Sequence, residues 1–130
     1  MTPWVARLLF ANFAMFLLLA RPGTEVFNVL LLIPAEVVAH PWTPLTYMFL
    51  HGDFLHILFN MIVLFFFGPR LEATLGSRKF LGLYFVSGLA AALFSGLTPH
   101  ARVVGASGAI YGLMIAYAGI WPRDRIYIWG

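Results

Sequence analysis

Four long apolar segments constrain this chain more than any other feature; they span roughly residues 4–20, 54–68, 80–97 and 106–121. Polar or Pro/Gly-containing breaks separate them, and each segment is long enough to be a helix. At 1.5 Å per residue they extend roughly 22 to 27 Å, a little short of a ~30 Å hydrocarbon core, so flanking residues or local thinning must complete a crossing. With 62% of residues apolar and 10% charged, lipid rather than water is the expected solvent. Backbone groups in lipid must be satisfied internally. The expectation is an all-α polytopic membrane protein: a bundle of four transmembrane helices forming a single membrane domain over residues 1–130.

The same composition removes several function classes. Cysteine is absent, which excludes disulfides, a thiol nucleophile and a Cys-based metal site. The eight basic residues stand mostly singly or in pairs between apolar runs, so no nucleic-acid footprint is expected. They act better as topology signals. With the N-terminus inside, the cytoplasmic side collects Arg7, Arg70, Arg78, Lys79, Arg123 and Arg125, leaving Arg21 and Arg102 outside. That balance predicts a cytoplasmic N-terminus, in what is expected to be a bacterial inner (plasma) membrane. Residues 4–20 resemble a signal peptide in length, but Arg7 is their only charge and further apolar segments follow.

Residues 21–53 form a long connection with Pro22, Gly23, Pro34, Pro41 and Pro44; its run Val29–Ile33 is too short to span. Its length and apolar patches predict a functional loop partly in the membrane interface. Gly88, Ala92 and Gly96 in the third segment, and Gly108, Gly112 and Ala116 in the fourth, make small-residue faces that let membrane helices approach closely.

Polar residues inside such segments need partners or water, which makes them candidates for chemistry. The second segment opens with His51, Asp53, His56 and Asn60, of which His56 and Asn60 share one helical face. Interhelical hydrogen bonding alone is the simpler explanation. A metal site is disfavoured: on a helix turning 100° per residue the two imidazoles stand about 140° apart, and converge only if His51 lies in the preceding loop. No metal or cofactor is expected. The second signal is Gly105-Ala-Ser107-Gly108, with Tyr111 one turn later. Ser107 falls at the start of the fourth helix, where unpaired amides and the positive dipole end can stabilise an oxyanion. A serine with amides on one helix, and His56 and Asn60 as donors on another, is a layout for acyl transfer.

From about His40 to Trp121 the chain resembles the rhomboid family of intramembrane serine proteases. The motifs are His51-Gly-Asp-Phe-Leu-His56-Ile-Leu-Phe-Asn60, Gly68-Pro-Arg-Leu-Glu72-Ala-Thr-Leu-Gly76-Ser77 and Gly105-Ala-Ser107-Gly-Ala-Ile-Tyr111-Gly, in that order. The resemblance implies Ser107 as nucleophile, with its amide and the side chains of His56 and Asn60 as the oxyanion hole. It implies supporting roles for Gly105 and His51. Tyr111 would correspond to an aromatic residue packed on the catalytic histidine, and Glu72 to a structural carboxylate in the loop after the second helix. Residues 21–53 would be a membrane-embedded lateral loop, although many relatives carry Trp-Arg where this chain has Trp42-Thr43-Pro44. The implied partners are transmembrane protein substrates and the lipid bilayer.

The family's base is a histidine on a sixth helix, and none of His40, His51, His56 or His100 matches it. The expectation is therefore the first four helices of a six-helix protease, with the C-terminal helices and the base beyond this chain. A rhomboid-like pseudoprotease or inactive fragment, binding membrane clients without cleaving them, is the alternative. A transporter would call for discontinuous helices and paired mid-membrane charges, which are not evident.

Overall fold

In a computed structural model, residues 1–125 are described; the last five residues of the expected domain lie outside that description. All the regular structure among the described residues is helical. α1 runs Pro3–Ala14 and continues as a π-helical turn over Met15–Leu19; α2 (Glu25–Leu30) and α3 (Thr43–Thr46) lie within the long connection. α4 (Phe54–Leu75), α5 (Ser77–Phe94) and α6 (Ser107–Ile120) complete the set. α4 has 22 residues, and α5 with its terminal 3-10 turn has 21; both are long and apolar enough to cross a membrane. At 1.5 Å per residue α4 extends about 33 Å, enough for a hydrocarbon core. The apolar helices Pro3–Leu19 and Ser107–Ile120 are shorter.

One boundary differs from expectation. The second helix does not stop at Gly68 but continues through Pro69 to Leu75, so Glu72 sits within a helix rather than a loop. Proline removes one backbone donor, which membrane helices tolerate. What offsets that loss is contact: Leu71 and Glu72 are buried, and a β-carbon on Gly68 would come within 2.7 Å of Val5 Cγ2 on α1. Glu72 accepts the backbone N–H of Trp4 at 2.8 Å and of Val5 at 3.3 Å, so a carboxylate from α4 satisfies the first free amides of α1. Its charge also suits the positive end of that helix. The turn into α5 is a single residue, Gly76, at φ +85°.

The small-residue faces pair differently from their sequence pattern. α5 and α6 pack most extensively of all the helices. On α6, Gly108 meets Ala91 and Gly112 meets Ser87, so close that a β-carbon on either glycine would collide. Gly88 instead faces Met48 of the long connection, and Gly96 faces open space. At the far end of α6, Arg70 lies 3.9 Å from the Trp121 ring centroid and bonds both Tyr117 and Asp124 at 3.0 Å, tying α4 to the end of α6.

The long connection is ordered by a small apolar cluster of Ala20, Phe27, Leu31 and Leu50 and by specific bonds. Leu32 and Val103 exchange backbone hydrogen bonds as an isolated bridge, and Ala35 N–H donates to Pro99. Trp42 Nε1 donates to the Val29 carbonyl, and Thr46 Oγ to that of Leu30. The connection is thereby fastened to the segment that leads into Ser107.

Candidate active site

Ser107 is the first residue of α6, following Ala106 at the N-cap. The amides opening a helix have no carbonyl one turn behind them, so they point free donors toward whatever lies beyond the helix start. Gly105 makes the entry possible. Its φ of +116° belongs to the region that favours glycine. A β-carbon there would also stand 2.6 Å from Cε1 and 2.7 Å from Nε2 of His56.

His56 reaches this turn from the first turn of α4. Asp53 fixes that helix start: its carboxylate accepts the His56 N–H at 2.8 Å as an N-cap. His56 Nε2 then lies 3.4 Å from Ser107 Oγ, a contact whose donor depends on the imidazole tautomer. Asn60, one turn further along α4, is 8% exposed, and its buried Nδ2 has no acceptor among the described residues. An unpaired buried amide donor is costly unless a ligand oxygen or water meets it. Asn60 and Ser107 line one cleft of about 260 Å³ between α4 and α6, together with Phe59, Val63, Ile110, Tyr111 and Met114. Tyr111 is largely exposed on its wall.

His51 lies in the loop before α4, and the two imidazoles do converge, edge to face with centroids 5.1 Å apart. The described residues contain no group of three metal-ligating side chains around them. His51 is fully buried; its Nε2 accepts the Ala106 N–H at 3.5 Å, while its Nδ1 has no partner among the described residues. Burial pushes this imidazole down to about 4, with His56 adding to the shift and Asp53 opposing it. It is therefore neutral near pH 7, as an acceptor facing an N–H must be.

Ser107, His56, Asn60, Gly105, His51 and Tyr111 thus gather at one end of α4 and α6. Glu72 does not; it serves the α1–α4 junction. His100 is exposed, and His40 stacks edge-on against Trp42. Two residues have roles that the site motifs alone do not reveal. Asp53 is the N-cap, legible from an aspartate three positions ahead of His56. Tyr47 accepts the Gly105 N–H on its carbonyl at 2.9 Å, a bond with no local sequence signal.

This fold and this arrangement of serine, histidine and asparagine define a class of membrane protein, and comparison with known proteins assigns it. The family model for the Rhomboid domain matches residues 38–130, and the chain belongs to the rhomboid family. It is 42% identical over 100 residues to RHOMBOID-like protein 1 of Arabidopsis thaliana, covering 74% of this chain and 26% of that protein. It is 36% identical over 87 residues to Rhomboid protein 1, mitochondrial, of Saccharomyces cerevisiae, covering 62% and 25%. It is 39% identical over 74 residues to Rhomboid-like protease 3 of Toxoplasma gondii, covering 56% and 28%. The matched stretch spans about a quarter of the length of each of these relatives. Family membership makes this an integral membrane protein of a protease family. Relatives in a plant and in yeast mitochondria do not single out a bacterial inner membrane.

Proposed function

We propose that this chain forms the nucleophile-bearing part of an intramembrane serine endopeptidase. The observation that carries this reading is the placement of Ser107 and Asn60 on one cleft, with His56 Nε2 3.4 Å from Ser107 Oγ and the buried Asn60 Nδ2 without a partner among the described residues. Ser107 attacks a peptide carbonyl of a transmembrane protein substrate. The oxygen that becomes negative is met by the free amide of Ser107 and by donors from His56 and Asn60. Such donors, fixed before the reaction and shielded from bulk water, each lower the barrier by typically about 3 kcal/mol. The serine proton passes to a histidine contributed from outside these 130 residues and returns to the leaving amine.

The bilayer setting is part of the proposal. α1, α4, α5 and α6 cross the membrane with the N-terminus inside, an orientation supported by the distribution of Lys and Arg. Residues 21–53 lie at the interface on the side of Ser107. A substrate helix has to unwind locally, because its scissile carbonyl is otherwise engaged in the helix. Substrates with small or helix-breaking residues near the cut are therefore preferred.

The 3.4 Å contact favours a second reading, in which His56 itself accepts the serine proton. His56→Gln separates the two, since glutamine can donate to an oxyanion and cannot act as a base. Partial cleavage by His56→Gln beside none by His56→Ala supports the donor role; equal loss in both supports the base. The function is tested with a membrane-tethered reporter in liposomes: Ser107→Ala is expected to abolish cleavage by the full-length protein, and undiminished cleavage would sink the proposal.

A further inference from the structure

We propose that Tyr47 is a positioning residue for Ser107, its phenol and its carbonyl together tying the turn that carries the nucleophile to α5. The inference rests on the reading of Ser107 as nucleophile. Tyr47 opens a 3-10 turn (Tyr47–Phe49) in the strap ahead of α4 and is 3% exposed. Its hydroxyl donates to the Gly88 carbonyl of α5 at 2.5 Å. Its own carbonyl accepts the Gly105 N–H at 2.9 Å. The next amide, Ala106 N–H, donates to His51 Nε2, four residues further along the same strap.

Two consecutive amides are thus held by Tyr47 and His51, and the third, on Ser107, has no partner among the described residues at the helix start. The strap sets where that free amide points. Its own position on α5 is held by the packing of Met48 against Gly88 and by the phenol, whose hydrogen bond gives that packing a direction. A β-carbon on Gly108, the residue after Ser107, would lie 3.6 Å from the Tyr47 hydroxyl, so the phenol sits directly beside the start of α6. Burial pushes this phenol up to about 12, which keeps it protonated and able to donate across the whole working range of pH.

The bond is better suited to placement than to stability. The Gly88 carbonyl has two lone pairs, and within α5 it retains its helical partner when the phenol is removed. Tyr47→Phe keeps the buried ring and removes only the tether. Displacements of about 1 Å in a reacting geometry can lower a rate by about two orders of magnitude. A tether whose loss shifts the turn by a fraction of that is expected to cost about tenfold.

The test measures the rate constant for reaction of a fluorophosphonate with Ser107 in the full-length wild type, Tyr47→Phe, and a protein with para-aminophenylalanine in place of Tyr47, which retains a donor at the ring tip. Phe80→Leu, a core change at the opposite end of α5, controls for stability. Tyr47→Phe is expected to react about tenfold more slowly at a nearly unchanged melting temperature, with faster hydrogen exchange at the Gly105 amide. The amino variant is expected to react close to the wild-type rate. Wild-type reactivity in Tyr47→Phe, or a loss that the amino variant does not recover, overturns the inference. So does a loss that merely tracks melting temperature as in Phe80→Leu. Absence of wild-type labelling at Ser107 instead overturns the nucleophile reading, and this inference with it.

Discussion

Gly105 and His56 approach so closely that no β-carbon fits between them: the position it would take lies 2.6 Å from the imidazole Cε1. The glycine ahead of the serine is therefore fixed twice, by this contact and by its φ of +116°. Gly105→Ala is expected to displace His56 and the turn together and to lower reporter cleavage at least about 100-fold. Activity within twofold of wild type would show that the ring has room to move.

The N-cap at α4 gives a smaller and separable effect. Asp53→Ala removes the acceptor of the His56 N–H and is expected to cost about 1 kcal/mol, read as a lowered melting temperature in detergent. Asp53→Ser restores most of it. An equal loss in both variants would mean that the carboxylate acts through something other than the cap.

Glu72 holds the first turn of α1 from 67 residues away and is almost fully buried. Glu72→Ala strands the Trp4 and Val5 amides and is expected to cost about 1 to 3 kcal/mol, whereas Glu72→Gln keeps one acceptor and costs less. Proteolysis of α1, followed by mass spectrometry, should rank them Ala, Gln, wild type in falling susceptibility.

His51 sets an acid limit. Its imidazole is at about 4 in the folded protein against 6.5 in a free chain, so the unfolded state takes up the proton first as pH falls. The corresponding stability is complete above about pH 6.5 and is lost progressively as pH falls toward 4. Acid unfolding of His51→Gln, which still accepts from Ala106 but does not titrate, is expected to show a shallower dependence over that window. An unchanged slope would assign the acid loss to other groups.

Much of this architecture is legible in the sequence because lipid imposes simple rules. Apolar length marks the helices, and the serine of Gly105-Ala106-Ser107-Gly108 at the head of α6 marks the candidate nucleophile. The extension of α4 past Pro69 is not legible locally, since proline normally ends a helix and the contacts that offset it come from Val5 and Trp4. Glycine spacing reveals close packing on α5 and α6 but not its partners: Gly88 follows the helical repeat and yet faces Met48, while Ser87 and Ala91 meet α6. Tyr47 reads as one more aromatic in an apolar chain, and only its two long-range bonds distinguish it.

The central claim is that Ser107 is an activated nucleophile, and covalent modification tests it most directly. The full-length protein, treated with a fluorophosphonate and digested, is expected to carry a single adduct on the peptide containing Ser107. Ser107→Ala is expected to carry none, and Asn60→Ala to react at least tenfold more slowly, as loss of an oxyanion-hole donor typically costs about 100-fold or more. A wild-type protein left unmodified at Ser107, or an adduct that persists in Ser107→Ala, would contradict the claim.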